Sequence, residues 1–173
     1  MLAIIKEGRV LLLILAATAL LCAACGTPSA ANFFSGRTLT LRVLEWKSVP
    51  EVRYAVGDNH YFVQPKNKGN TLIAIKLQVI NFESNRVILT VDKSAMRLRD
   101  DRADEYRPVD PLEERVSVAA EGPREGDFSP FIWGDLELSE RFEVIGWVIF
   151  EVPRGAKPRE LVWDAADTIY LQF

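Results

Sequence analysis

With one histidine, two cysteines and two methionines in 173 residues, this chain is poor in the side chains that hold transition metals or carry nucleophilic catalysis. A single imidazole cannot build a multi-histidine centre. A basic excess is missing too. The 21 Lys and Arg face 24 Asp and Glu, a formal net charge of −3, so nothing draws the chain to nucleic-acid phosphates. Disorder is excluded from the other side, because 49% of the residues are hydrophobic and the charges nearly balance. No cofactor is expected, and no stretch beyond the first 25 residues keeps a helical period.

The N-terminus carries the first positive signal. Lys6 and Arg9 precede a 12-residue apolar run from Val10 to Leu21, followed by Cys22-Ala23-Ala24-Cys25 and a linker-like segment. A membrane-spanning helix needs about 20 apolar residues, so the run suits an export signal better than a span. Ala23 and Ala24 directly before Cys25 resemble the lipobox of bacterial lipoproteins, although Cys22 stands where Leu is usual and Glu7 interrupts the basic region. The resemblance implies cleavage before Cys25, lipidation of its sulfur, and a lipid-anchored place on the extracytoplasmic face of the bacterial envelope. An uncleaved N-terminal anchor and ordinary secretion are the alternatives. Cleavage takes away 24 residues with Lys6, Arg9 and Glu7, leaving 149 residues, a net charge of −4 and one cysteine. No intramolecular disulfide is then possible. A chain of that size buries roughly 70% of its unfolded surface, enough for one self-supporting domain. The expected organisation is a signal peptide over 1–24, lipidated Cys25 with a linker over 25–38, and one domain over 39–173.

That domain reads as short strands separated by turns. Leu39, Leu41 and Val43 alternate with Thr40 and Arg42, the period of a half-buried strand. Pro50, Gly57 and Asp58 predict a turn region between Lys47 and Asn59. From Thr71 to Phe82, Ile73, Ile75, Leu77 and Val79 share one face, with Ala74, Lys76 and Gln78 on the other. The polar Glu83-Ser84-Asn85 then leads to Arg86–Asp92, whose β-branched residues suit a hairpin partner. Met96 to Arg99 is a further short strand. Phe142 to Val152 is a long one, with Phe142, Val144, Val148, Phe150 and Val152 on one face and Ile145, Trp147 and Ile149 on the other. Leu161–Trp163 and Thr168–Phe173 complete an all-β set that favours a two-layer antiparallel sandwich. Residues 100–136 stand apart, with four prolines and three glycines in 37 residues. They are expected either to carry short irregular strands or to form an ordered loop over the sandwich.

Three segments together carry a family resemblance: Leu77-Gln78-Val79-Ile80-Asn81, Met96-Arg97-Leu98-Arg99-Asp100 with Tyr106 after it, and Gly146-Trp147-Val148-Ile149-Phe150-Glu151-Val152-Pro153. The chain is similar over residues 39–173 to uncharacterised bacterial extracellular lipoproteins with a domain of unknown function like the mycobacterial secreted immunoprotective antigen. The resemblance implies an immunoglobulin-like antiparallel β-sandwich, export, and no established enzymatic activity. Arg102-Ala103 and Ser139-Glu140-Arg141 depart from the family's usual turns.

Candidate sites are few. His60 lies near Asp58, but no GxSxG elbow accompanies them, and a turn or strand-edge histidine is the simpler reading. Asp100, Asp101, Asp104 and Glu105 offer hard oxygen ligands for calcium, yet lack the spacing and central glycine of a calcium loop. Arg97, Arg99, Arg102 and Arg107 interleave with them and would neutralise the cluster locally. Phe128, Phe131 and Trp133 in the long loop, with Ile145, Trp147 and Ile149 on the strand, form either a cover over the sheet or a partner-binding surface. The expected function is a non-catalytic, lipid-anchored binding or structural domain of the cell envelope, with the membrane and envelope proteins as partners. The alternative is a periplasmic or surface carrier of a metal ion or solute, although copper carriers usually have several His and Met, and the mature chain has His60 and Met96.

Overall fold

In the computed structural model, the described residues are 32–119 and 128–173, and they are all-β, with thirteen strands and no helix. The central sheet runs in the order β1 (Phe33–Ser35), β2 (Leu39–Val49), β5 (Asn70–Asn81), β11 (Glu143–Pro153), all antiparallel. Along β5, Leu72, Ile73, Ala74 and Ile75 are buried in unbroken succession, so this strand is apolar on both faces over its first half. Both faces therefore need a cover.

One face packs on β6 (Arg86–Val91) with β10 (Gly134–Ser139), and on a sheet ordered β13 (Ile169–Gln172), β12 (Pro158–Trp163), β7 (Met96–Asp100), β8 (Glu105–Tyr106). The main core lies between these layers. Ile73, Ile75, Leu77, Val79, Val148 and Phe150 from the central sheet meet Val87, Leu89, Met96, Leu98, Leu161 and Trp163. The indole N–H of Trp163 donates to the Ala165 carbonyl at 2.8 Å, so the largest core side chain buries no unpaired donor.

The other face is covered by β3 (Val52–Val56), β4 (Asn59–Val63) and β9 (Val116–Val118), together with part of the 100–136 segment. A second core follows, in which Val52, Tyr54, Val63, Val109 and Phe128 close over Leu72, Ala74, Trp147 and Ile149. The sandwich thus has three layers where its covered half lies, one more than the strand pattern suggested. The segment between Lys47 and Asn59 turns at Pro50 and at Gly57-Asp58, as expected, and carries a strand between the two turns. β2 continues to Val49, and Val52–Val56 pairs with Asn59–Val63 around the two-residue turn Gly57-Asp58, where Gly57 takes a φ of 57°.

Two further expectations are corrected. Arg86–Asp92 is no hairpin partner of the preceding strand, since β6 pairs with β10 from Arg86↔Ser139 to Val91↔Gly134. The reason is Asn81, whose buried side chain donates to the carbonyls of Ser84 and Leu138 and accepts the Ser84 amide. That local turn lifts the chain from one layer to the other. Phe142 likewise leaves the apolar face assigned to it. Arg141 at a φ of 63° completes a turn just before β11, and Phe142 is 67% exposed beyond the end of the sheet.

Within the long segment, residues 128–132 run beside β11. The Trp147 amide donates to the Pro130 carbonyl at 2.8 Å, and the Ile132 amide to the Trp147 carbonyl at 3.0 Å. This close approach requires glycine at 146. A β-carbon there would meet the Pro130 oxygen at 2.8 Å and Ile132 Cγ1 at 2.9 Å. Gly146→Ala is expected to push the covering segment off the sheet and to cost about 1–3 kcal/mol of stability, as overpacking does. Urea denaturation checks this, and an unchanged midpoint would contradict the close packing.

Candidate functional site

The aromatic residues singled out in the sequence are mostly drawn into the second core. Trp147 is 5% exposed, with Phe128 edge-on at 4.7 Å and the ammonium groups of Lys47 and Lys76 over its ring at 5.3 and 5.5 Å. Phe131 meets Tyr54 edge-on at 4.8 Å, and Ile149 is buried beneath them. Phe128 and Phe131 of the long segment therefore help to cover this face of the sheet. Trp133 packs instead against the main core and lines a shallow hollow with Asp92, Asp110 and Asp135. Ile145 is half-buried and belongs to neither core. Cys25 lies outside the described residues.

The acidic cluster is divided among separate partners. Asp100 is 2% exposed, and its Oδ1 accepts the amides of Arg102 and Asp104 at 2.9 and 3.0 Å while Oδ2 accepts the Tyr106 hydroxyl at 2.9 Å. Burial alone would raise the pKa of this carboxyl, but the three hydrogen bonds outweigh it and hold the value below the ordinary range. Glu105 pairs with Arg99 at 2.7 Å, and Asp101 accepts the Lys157 amide at 3.5 Å. Among the described residues no three His, Cys, Asp or Glu side chains converge as a metal site would require. His60, in β4, stands opposite Ala55 of β3 and Val118 of β9, whereas Met96 is in the main core on the other side of the central sheet, so the two cannot share an ion.

Burial, followed by the Asp100 hydrogen bond, pushes the Tyr106 pKa up to about 12. A folded value above the unfolded one near 10 means the stability this group contributes is present below pH 10 and lost as pH rises through about 12. In an ultraviolet titration, one tyrosine should ionise near pH 12, and Tyr106→Phe should remove that step. Its persistence in the variant would contradict the Tyr106–Asp100 contact.

Two hollows mark opposite ends of the central strands, which the twelve residues of β5 separate by about 40 Å. The first, of about 470 Å³, lies beside β1 and is lined by Phe33, Leu39, Ile80 and Phe82 with Arg37, Thr38 and Glu83. Phe33 and Phe82 are 54% and 64% exposed. Asp167 fixes its floor by accepting the Thr38 amide at 2.8 Å and the Leu39 amide at 3.3 Å. The second, of about 460 Å³, is polar: Ser48, Gln64, Asn67, Asn70 and Thr71 line it with Lys68, Arg154 and two prolines, Pro50 and Pro65.

Glu151, at the end of β11, builds the polar hollow. Its carboxylate accepts the amides of Lys66 and Asn67 at 3.0 and 2.9 Å and the side-chain amides of Asn67 and Asn70 at 3.0 and 2.8 Å. Burial opposes the charge, yet these donors hold the Glu151 pKa below the ordinary carboxylate value. Sequence reasoning missed this end of the molecule. Its residues come from the β2–β3, β4–β5 and β11–β12 turns and their flanking strand ends and form no local motif; the one available signal was Glu151, a charge near the end of a mostly apolar strand.

Comparison with solved structures finds a similar fold in a Bacillus subtilis protein, YcdA, provisionally assigned as a lipoprotein, at a TM-score of 0.52 and 14% identity over 83% of this chain. The chain spans 39% of that protein's length, and at this identity the likeness is one of fold. No family model matches the sequence, and no curated protein does.

A folded pKa below the unfolded value gives stability that is present above about pH 4 and lost as pH falls through the lower folded value. Glu151→Gln is therefore expected to lose about 1 kcal/mol at pH 7, the bonds being partly screened by water. The gap to the parent protein should narrow below pH 4. Urea midpoints measured against pH check this, and a gap independent of pH would contradict the carboxylate's role.

Proposed function

We propose that this protein is a non-catalytic binding or structural domain, lipid-anchored through Cys25 on the extracytoplasmic face of a bacterial envelope. The observation that carries the reading is the export signal ending in Ala23-Ala24-Cys25 directly ahead of one self-contained β-sandwich with hollows at its two ends. Asn32 follows Cys25 by seven positions, so a fully extended chain from a lipid on that cysteine reaches Asn32 within about 25 Å. Each buried CH₂ of the acyl chains adds about 0.8 kcal/mol of membrane affinity, and two or more chains make a firm anchor.

The strand order supports the finer immunoglobulin-like reading. β2-β5-β11 opposite β13-β12-β7 is the arrangement of strands A, B and E opposite G, F and C in that fold. The solute-carrier alternative draws support from the polar hollow, which is compatible with an anchored binding domain. Partners among envelope proteins belong to the same reading.

Replacement of Cys25 by Ser followed by cell fractionation tests the anchor. The variant should lose palmitate labelling and leave the membrane fraction. A variant still processed, labelled and membrane-bound would overturn the assignment.

A further inference from the structure

We infer that the polar hollow at the Glu151 end binds an anionic polyol, a hydroxylated ligand of the sugar-acid or sugar-phosphate class. The inference names the ligand class for the binding role proposed above and rests on it only for its setting in the envelope.

Charge is the first argument. The ten residues around the hollow include Lys68 and Arg154 and no Asp or Glu, in a chain whose net charge is −3. Neither cation has an ion-pair partner among the described residues, whereas Lys66, two positions before Lys68, pairs with Glu114 at 2.9 Å. The Glu151 carboxylate beneath the loop keeps its charge, but its oxygens are held by four neutral N–H donors and it forms no ion pair with either cation. An ammonium and a guanidinium facing one hollow suit a phosphate or a carboxylate.

The neutral groups supply the second argument. Asn67 and Asn70 give their side-chain N–H groups to Glu151, and Gln64 gives its own to Glu51 at 3.1 Å. All three keep a carbonyl oxygen for an incoming hydroxyl. Ser48 and Thr71 hold their hydroxyls 3.4 Å apart on the adjoining wall. Pro50 and Pro65 add rigid apolar surface, but no aromatic ring lines the hollow, so the base stacking of nucleic-acid binders has no platform.

Preorganisation is the third. Besides Glu151, the Asn70 amide donates to the Asn67 carbonyl at 3.0 Å and the Arg154 amide to the Gly69 carbonyl at 3.1 Å, which ties the β4–β5 turn to the β11–β12 turn. A ligand then orders little of the protein on binding. The volume, about 460 Å³, falls within the range of small-ligand sites.

The test is an NMR titration of the full chain in detergent micelles, following the amides of Lys68, Gly69 and Gly155, with glucose 1-phosphate, glucuronate, glucose and inorganic phosphate. The two charged sugars should bind with shifts confined to these turns, and at least about tenfold more tightly than glucose or phosphate. The double substitution Lys68→Ala with Arg154→Ala should weaken both charged sugars by at least about tenfold while the circular dichroism spectrum and urea midpoint stay unchanged. Charged sugars that bind no better than glucose would overturn the inference, as would inorganic phosphate binding equally well, retained affinity in the double variant, or shifts that map to the Phe33–Phe82 hollow. Because binding is read in micelles, failure here leaves the Cys25 anchor standing, and failure of the anchor leaves this result intact.

Discussion

The structure depends on one strand that has no solvent face. Over Leu72, Ile73, Ala74 and Ile75, β5 buries every successive side chain, and a strand of that kind is stable only between two other layers. The main core satisfies Ile73 and Ile75. Leu72 and Ala74 oblige the chain to build a third layer, for which it uses the β3–β4 hairpin and the long segment that carries Val109 and Phe128. The same requirement governs β11, where Val148 and Phe150 point one way and Trp147 and Ile149 the other. Part of the long segment over 100–136, carrying Val109, Phe128 and Phe131, is explained as the cover for this face.

The carboxylates serve the loops that this layering leaves at the ends of the strands. Asp100 binds the amides of Arg102 and Asp104, Glu151 those of Lys66 and Asn67, Asp167 those of Thr38 and Leu39, and Asp110 those of Leu112 and Glu113. Each carboxylate supplies an acceptor to amides that the strand ladders leave unpaired. These four carboxylates are thereby structural, and the Lys68–Arg154 hollow stands out in a chain of net negative charge.

Strand positions were legible in the sequence wherever alternation was strong. Leu39–Val43, Thr71–Phe82, Arg86–Asp92, Met96–Arg99 and the stretch after Phe142 all lie in strands, apart from end residues. Pairing was less legible, because the buried Asn81 diverts the chain between layers and an apolar strand carries no mark of its neighbour. The β3–β4 hairpin was masked by Pro50 and by the mixed polarity of Val52-Arg53-Tyr54-Ala55-Val56, although Val52 and Tyr54 alternate as a half-buried strand should. The covering role of Phe128 and Trp147 could be anticipated from the apolarity of both faces of β11. The polar hollow could not, since Ser48, Lys68 and Arg154 are brought together only by the ends of three separate turns.

Native-state hydrogen exchange measures the central feature, the double covering of β5, most directly. The amides of β5 and of β11 should exchange only through global unfolding, and the amides of Val109, Ile132 and Trp147, which bond across the cover, should share that slow class. Fast exchange at Val109, Ile132 and Trp147 with β5 still protected would show the third layer to be detachable and would contradict a strand that needs both covers.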